Sequence, residues 1–284
     1  MSRYDELMAL RSSRMTAAYT DRDALLYALS IGMGRDPYHP GEMPFVNEFA
    51  GQKVPPTFVT VLARGLLVAE HVEYAKVVHA RQCIDMHAPM PAAGEVAWDA
   101  AVTDIQDKGP GRGAFITIQT ELRAASGQAL ATLTSTVMAR GDGGLGGPDK
   151  PVPPRPADMP TRKPDWTIAF ETCRNQAALY RLNGDRNPLH IDPRRAAEVS
   201  LPEPILHGLC TYGIACRAVL EAVCDYDPAR IKSFDVRFSA PAYPGETLTT
   251  LIWREGTDVV FRCIATPRNV VVLDHGRCVL APAA

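Results

Sequence analysis

The chain lacks a long apolar run, because charged residues interrupt every hydrophobic stretch well short of the ~18 residues that a membrane-spanning helix needs. Its N-terminal segment, MSRYDELMALRSSRMTAAYT, has no apolar core like that of a secretory signal. Basic and acidic residues are interspersed and the net formal charge is −2, so no basic face is available for a phosphate backbone. These absences predict a cytoplasmic protein that neither inserts into a membrane nor binds nucleic acid.

The sequence also lacks any CxxC pair and any metal-ligand spacing. Its seven cysteines are an odd number, which suits reduced and mostly buried thiols. We therefore expect no structural disulfide and no bound zinc. The 46% hydrophobic content over 284 residues is enough for a substantial core, in one large domain or two ordinary ones.

Two halves of the sequence repeat each other at a nearly constant spacing. LLYALSIG (25–32) parallels ALYRLNG (178–184), which places Tyr27 and Tyr180 153 positions apart. APMPAAGEV (88–96) likewise parallels APAYPGETL (240–248). Between them, residues 141–165 contain five glycines and then seven prolines, which favours an extended linker. We infer an N-terminal unit over 1–145, a Gly/Pro-rich linker over 146–165 and a C-terminal unit over 166–284.

Each half is predicted to contain a short helix followed by an antiparallel meander. The helices are ALLYALSIG, after a capping-box-like TDRD, and CRNQAALYRL, and the second half adds the long apolar helix GLCTYGIACRAVLEAVCDYD. The strands are predicted over 80–89, 95–108, 114–126 and 129–141, and again over 233–241, 246–255, 258–266 and 269–281. A helix wrapped by an antiparallel sheet, occurring twice, is an α+β arrangement whose two sheets can pair into one layer.

The first half differs from the second after its helix. Residues 32–58 are too rich in glycine and proline for a second long helix, so we expect a partly open core there. An opening beside a buried helix is a place for a long apolar ligand.

The stretch YRLNGDRNPLHIDP (180–193) concentrates polar groups around a turn. Asp185 and His190 lie five positions apart across a proline, and a carboxylate with an imidazole is a common general acid/base pair. The alternative is a helix stop without chemistry, made of ordinary turn residues. For Asn187 and Asp192 we favour local turn roles, and His190 with Asp192 is too weak a pattern for a metal site.

A second motif, PILHGLCTYG (204–213), precedes the long helix. The Gly208 N–H is a candidate helix-terminal donor to a polarised carbonyl, or the glycine is only a helix start. Cys210 lies at the same positive helix end, where a thiolate is favoured. No orienting base accompanies it, so packing of a small apolar side chain is the better interpretation.

Together, YRLNGDRNPLHIDP and ILHGLCTYG resemble the signature of the MaoC-like, (R)-specific type 2 enoyl-CoA hydratases. The similarity extends along nearly the whole chain, including TDRDALLYALSIGMG, VPPTF, DIQDKGPGRGAF, RFSAPAYPGETL and IWREG. The family has the hot-dog fold, so the resemblance implies a double hot-dog. It also implies that the degenerate first half holds an acyl chain, which is bulky, long, branched or ring-bearing, such as a steroid side chain.

The resemblance implies that Asp185 and His190 act on one water, which adds to a trans-2-enoyl-CoA and gives the (3R)-hydroxyacyl-CoA. Gly208 then corresponds to the oxyanion donor, and Asn187 helps to arrange the site. Asn183 stands where serine is usual. Asp36 and His39 in the first half have the wrong spacing for a second such pair and are interpreted as structural.

The substrate implied is an acyl-CoA thioester, with no cofactor, since coenzyme A is part of the substrate, and the family pattern suggests a homodimer. The candidate substrate contacts are His207, Arg186, Lys108, Arg112 and Arg237. Arg186 stands where an aromatic residue is frequent, and is either a solvated turn residue or a contact to a CoA phosphate. Two alternatives stay open: a hot-dog thioesterase, which releases free CoA, and a non-catalytic acyl-CoA-binding module, which has no turnover.

Overall fold

One antiparallel sheet runs through both halves of the chain. The structure, a computed structural model, describes residues 1–36, 38–63, 67–151, 157–266 and 268–282. Within these residues the strands are β1 (Met15–Tyr19), β2 (Val77–Met86), β3 (Gly94–Asp107), β4 (Ala114–Ala124), β5 (Ala129–Ala139), β6 (Trp166–Glu171), β7 (Ile231–Phe238), β8 (Thr247–Glu255), β9 (Asp258–Thr266) and β10 (Val270–Leu280). Their order in the sheet is β1-β3-β4-β5-β2-β7-β10-β9-β8-β6, so β2 and β7 join the two halves.

The helices lie mainly on one side of this sheet. They are α1 (Arg3–Met8), α2 (Asp21–Ser30), α3 (Met43–Val46), α4 (Val59–Leu62), α5 (Gln176–Tyr180), α6 (Pro193–Glu198) and α7 (Gly208–Val223), with short 3₁₀ turns between them. The predicted α+β arrangement and its single continuous layer are confirmed. The eight predicted strands are present, and the structure adds two edge strands, β1 and β6, that the sequence analysis did not predict.

Helix α7 forms the centre of the core. Most of its residues are buried, because its sequence is apolar nearly all the way round. Arg217 on α7 pairs with the buried carboxylate of Glu42, in the loop that follows α2. As predicted, the described part of residues 32–58 contains only short helices, so α7 has no long counterpart in the first half.

Equivalent residues of the two halves meet at a pseudo-two-fold axis. The ring centroids of Tyr27 and Tyr180 are 6.1 Å apart. The Asn183 side chain donates a hydrogen bond to Ser30 Oγ at 2.9 Å, and these two residues are also 153 positions apart in the sequence. In a symmetric pair of units, contacts between equivalent residues occur only near the axis. The internal repeat in the sequence therefore corresponds to a repeat in space.

The linker contains no helix or strand over 142–151 and 157–165. Part of the stretch predicted as polyproline II, residues 152–156, lies outside the described residues. After it the linker passes β10, where His275 Nδ1 donates to the Ala157 carbonyl at 3.2 Å. Among the described residues, no helix is both long enough and apolar enough to cross a membrane.

Candidate active site

The loop between α5 and α6 is a series of tight turns that fixes the positions of Asp185 and His190. Gly184 has a φ of +119°, a conformation that side chains disfavour, and it reverses the chain after α5. The Asp185 carboxylate accepts from the Asn187 N–H at 3.1 Å, and the Asn187 side-chain oxygen accepts from the Leu189 N–H at 3.0 Å. These bonds begin the 3₁₀ turn that carries His190.

His190 is held in one tautomer. Its Nδ1 lies 2.9 Å from the Ile205 carbonyl, and because a carbonyl only accepts, Nδ1 must carry the proton in the neutral ring. The lone pair is then on Nε2. Burial lowers the pKa of His190 below its usual value, while the Ile205 carbonyl and the Asp185 carboxylate oppose this shift. A neutral imidazole of this kind can accept a proton from water and return it.

His207 and Gly208 begin α7 directly beside this pair. The His207 ring stacks on the His190 ring, with centroids 3.7 Å apart and planes 25° from parallel. Its Nε2 donates to the backbone carbonyl of Asp185 at 3.1 Å. Gly208 is the first residue of α7, so the helix supplies no acceptor for its N–H. The helix start therefore presents a free donor next to an acid/base pair.

Phe238, at the end of β7, covers Gly208. A Cβ atom at position 208 would lie 3.2 Å from Phe238 Cε1 and 3.3 Å from Cδ1. Phe238 also packs against His79 on β2, whose ring centroid lies 4.8 Å away. The packing around the candidate donor thus leaves room for glycine and little more.

Asp185, His190 and His207 form a group whose possible metal-ligand atoms all lie within 4.8 Å of one another. Metal ligands need lone pairs that converge on one ion. Here the two imidazole rings are stacked 3.7 Å apart and 25° from parallel, and because ring-nitrogen lone pairs lie in the ring plane, those of stacked rings run alongside each other. With an exposed carboxylate beside a buried imidazole, the geometry suits two groups that share a water and its proton.

The predicted substrate contacts lie in three different places. His207 is buried behind His190, and Arg186 is exposed on the loop next to Asp185. Arg237 is exposed on β7, but side chains alternate along a strand, so it points to the face opposite Phe238 and Gly208.

Lys108 and Arg112 lie in the turn between β3 and β4, where Lys108 Nζ is 5.5 Å from the Phe115 ring centroid. This turn is at the same end of the sheet as Phe238. It is three to four strands away, or roughly 15–20 Å at the usual strand spacing. The structure therefore brings Arg186 close to the candidate pair but brings neither Arg237 nor the β3–β4 turn into contact with it.

The other residues that the motifs singled out have structural roles. Cys210 is fully buried and burial raises the pKa of its thiol, so a thiolate nucleophile is disfavoured there. The Asp192 carboxylate caps α6 by accepting from the Arg194 N–H at 2.9 Å. In the first half, Asp36 accepts from the Tyr38 N–H, and His39 Nδ1 accepts from the Glu42 N–H, both within one local turn.

The sequence analysis did not predict which buried side chains hold the loop between α5 and α6 against the first half. Gln176 donates to the Ser30 carbonyl at 2.7 Å, and Asn183 donates to both Ser30 Oγ and the Tyr180 carbonyl. All of these side chains are buried. The available signal was the repeat itself, since its offset aligns Ser30 with Asn183 and so marks residues at the axis.

Comparison with known proteins agrees with this geometry. The MaoC like domain matches residues 155–275 and the MFE-2 hydratase 2 N-terminal domain matches residues 18–141. Two relatives from Mycobacterium tuberculosis align over most of both chains. "Enoyl-CoA hydratase ChsH3" is 40% identical over 90% of this chain and 91% of its own. "3-hydroxyacyl-thioester dehydratase Y" is 41% identical over 92% and 93%.

Among solved structures, a MaoC-like dehydratase from Phytophthora capsici superposes with a TM-score of 0.87 at 32% identity and covers 99% of both chains. The fold is thus shared with that protein along nearly the whole chain. The chain belongs to the MaoC-like hydratase 2 family, in its two-domain, double hot-dog form.

Proposed function

We propose that this protein is a hydro-lyase that reversibly hydrates a trans-2-enoyl-CoA to the (3R)-hydroxyacyl-CoA. The observation that carries the proposal is that a carboxylate oxygen of Asp185 and a ring nitrogen of His190 lie within 4.8 Å of each other. They lie beside the Gly208 N–H, which has no acceptor within α7. The names of the two mycobacterial relatives describe the two directions of one such reaction, hydration of an enoyl-CoA and dehydration of a 3-hydroxyacyl thioester. Which direction prevails depends on metabolite concentrations.

The reaction begins with polarisation of the thioester. Its carbonyl oxygen accepts a hydrogen bond from the Gly208 N–H, at the positive end of a 16-residue helix. This withdraws electrons from C3 and stabilises the enolate that forms when a nucleophile adds there. Removing an oxyanion donor typically costs ~100- to 1,000-fold in rate, so Gly208 is a large contributor.

Asp185 and His190 handle the water. The exposed carboxylate orients the water and takes its proton as the oxygen bonds to C3, and His190 Nε2 holds the same water through its lone pair. Asp185 and His190 then pass this proton to C2, which returns both groups to their starting protonation states, so the water is fully consumed and no other reactant is needed. We propose that Asn187 contributes indirectly, because its side chain builds the turn that places His190. The proposal includes no metal and no separate cofactor.

The acyl chain is proposed to lie in the first half. The support for this proposal is that the long α7 has no counterpart there and that only short helices take its place. We propose a bulky or ring-bearing acyl chain, such as a steroid side chain, as the group held there. CoA phosphates lie a pantetheine arm away from the thioester, which favours the turn with Lys108 and Arg112 over Arg186, the residue next to Asp185. Arg237 faces away from the site.

We further propose a cytoplasmic homodimer. Strands β1 and β6 are the two edges of the sheet, and each has one side without a strand partner in the described chain. Light scattering during size-exclusion chromatography tests the dimer, and cell fractionation tests the compartment.

The function is tested by the enoyl absorbance of trans-2-enoyl-CoA substrates with short, long and ring-bearing chains. The wild-type protein should remove the enoyl signal and give the (3R)-alcohol on chiral analysis. Asp185→Asn and His190→Gln should each lose ~100- to 10,000-fold in kcat. Asp36→Asn, which removes an exposed carboxylate in the first half, is the matched control and should retain full activity.

Other outcomes identify the alternatives. Release of free thiol would indicate a thioesterase. Substrate binding without any loss of the enoyl signal would indicate a binding module. Wild-type kcat in both Asp185→Asn and His190→Gln would refute the assignment of these two residues.

A further inference from the structure

His207 touches every part of the proposed site, although it does not face an open pocket. Its ring covers one face of His190, its Nε2–H bonds the backbone of Asp185, and it immediately precedes Gly208. Each of these partners belongs to a different segment, namely the 3₁₀ turn, the loop before it and α7. A single side chain therefore spans the distance between the acid/base pair and the oxyanion donor.

The stack controls the orientation of His190. The Nδ1 bond to Ile205 fixes one edge of that ring but still permits rotation about the bond. A second ring at 3.7 Å and 25° removes this freedom, because rotation would bring the ring atoms into collision. The direction of the Nε2 lone pair, and so the place of the water, then depends on His207.

The hydrogen bond controls the position of Asp185. The Asp185 side chain is exposed and its local bond is to the Asn187 N–H. The His207 Nε2–H is a side-chain donor from outside this loop that reaches the Asp185 backbone. It ties the loop to the start of α7, which the His207 carbonyl itself anchors by accepting from the Cys210 and Thr211 N–H groups.

His207 is suited to this role because it stays neutral. Its Nδ1 is buried and has no hydrogen-bond partner among the described residues, so a second ring proton would have no acceptor there. The groups that face it are Tyr180, Arg181, Asp185 and His190, and of these Arg181 and a protonated His190 both oppose its protonation. Any proton taken up by the stacked pair is therefore located on His190, next to Asp185.

We propose that His207 is a positioning residue that fixes Asp185 and His190 relative to Gly208, through ring stacking on one side and one hydrogen bond on the other. This rests on the proposed hydratase function and assigns His207 a task within it, in place of the direct substrate contact predicted from the sequence.

Two variants separate the two contacts. His207→Gln keeps an N–H donor near the position of Nε2 and removes the stacked ring. His207→Phe keeps a stacked ring and removes the donor. His207→Ala removes both. The matched control is His39→Gln, because His39 is a half-buried histidine that, like His207, packs on a tyrosine ring, here that of Tyr226. Tyr226 follows the far end of the 16-residue α7, roughly 24 Å from Gly208.

We expect kcat to fall by about 100-fold in His207→Ala and by about 10-fold in each of the other two variants, with KM within about 3-fold of wild type. Partial recovery of kcat by both Gln and Phe is the signature of two separate contacts. The proposal is overturned if Gln and Phe both retain wild-type kcat. It is also overturned if all three variants lose the same activity in proportion to a loss of folded protein, measured by circular dichroism.

A second measurement does not depend on turnover. In the NMR spectrum of the wild-type protein, the ring protons of His190 should show the upfield ring-current shift of a stacked neighbour. This shift should disappear in His207→Ala and His207→Gln and persist in His207→Phe. Unchanged His190 resonances in all variants would overturn the stack. If the wild-type protein hydrates no enoyl-CoA, the proposed function fails, while this spectrum still tests the geometry.

Discussion

Replacing Gly208 with alanine tests whether its N–H is the oxyanion donor. The new methyl group would lie 3.2 and 3.3 Å from the edge of the Phe238 ring, whereas carbon atoms pack comfortably at about 3.5–4.0 Å. One of the two must therefore move by a few tenths of an ångström. Because His79 packs against Phe238, we expect the start of α7 to share the movement.

The size of the effect follows from this distance. Loss of an oxyanion donor lowers the reaction rate by ~100- to 1,000-fold. A misplacement of the reacting groups by about 1 Å lowers it by ~100-fold. A shift of a few tenths of an ångström should therefore lower kcat by about 3- to 10-fold. Stability should change little, because alanine is favoured over glycine in a helix by ~0.5–1 kcal/mol, which offsets the tight contact.

The assay is the rate of enoyl absorbance loss at saturating substrate, with urea unfolding as the control for folding. The double variant Gly208→Ala with Phe238→Leu removes the close ring atoms and should recover much of the lost kcat. Wild-type kcat in Gly208→Ala would refute the expected displacement of this N–H. A loss of kcat that Phe238→Leu does not relieve would refute the packing explanation.

Three further predictions concern stability, pH and reactivity. Glu42→Gln removes the buried carboxylate partner of Arg217, whose other partner, Glu221, is 3.6 Å away, and should cost ~2–4 kcal/mol in urea unfolding, whereas Glu42→Leu with Arg217→Met should recover most of it; equal losses would contradict this. Burial lowers the pKa of His207 from 6.5 to about 4, so the unfolded chain binds more protons below pH 6.5. Between pH 7 and 5 the wild type should lose about 2 kcal/mol more unfolding free energy than His207→Phe, and equal pH slopes would rule this out. In the native protein a thiol reagent should label Cys173, the exposed one of the seven cysteines, before the buried thiols, and rapid labelling of Cys210, detected by mass spectrometry, would conflict with its burial.

The parts of the site that the sequence predicts are those whose chemistry is local. Asp185, Asn187 and His190 stand within six residues around a proline, so their proximity follows from the chain itself. Gly208 is predictable because a helix start exposes donors wherever it occurs. The stack of His207 on His190 and the packing of Phe238 on Gly208 depend on how separate segments meet, and no spacing within the sequence encodes that.

The strands were predictable for the same reason of local pattern. β4, β5, β8 and β9 are rich in β-branched residues that alternate between faces and are bounded by turn residues. The short β1 has only one buried residue and so gives a weak signal. In β6, the residues WTIAFE do alternate between more and less buried positions, as in a strand. This pattern lies at the end of the proline-rich linker, where an extended segment without a strand partner was already expected.

The duplication also explains why the first half is retained although it supplies none of the proposed acid/base groups. Ser30 is fully buried in the first half, and it receives hydrogen bonds from Gln176 and Asn183, which flank the helix leading to Asp185. Asn183 reaches the Ser30 hydroxyl because the two lie at equivalent positions beside the pseudo-two-fold axis, where the halves are closest. The first half therefore supports the loop that carries the chemistry, through contacts that only an aligned second copy of the unit can provide.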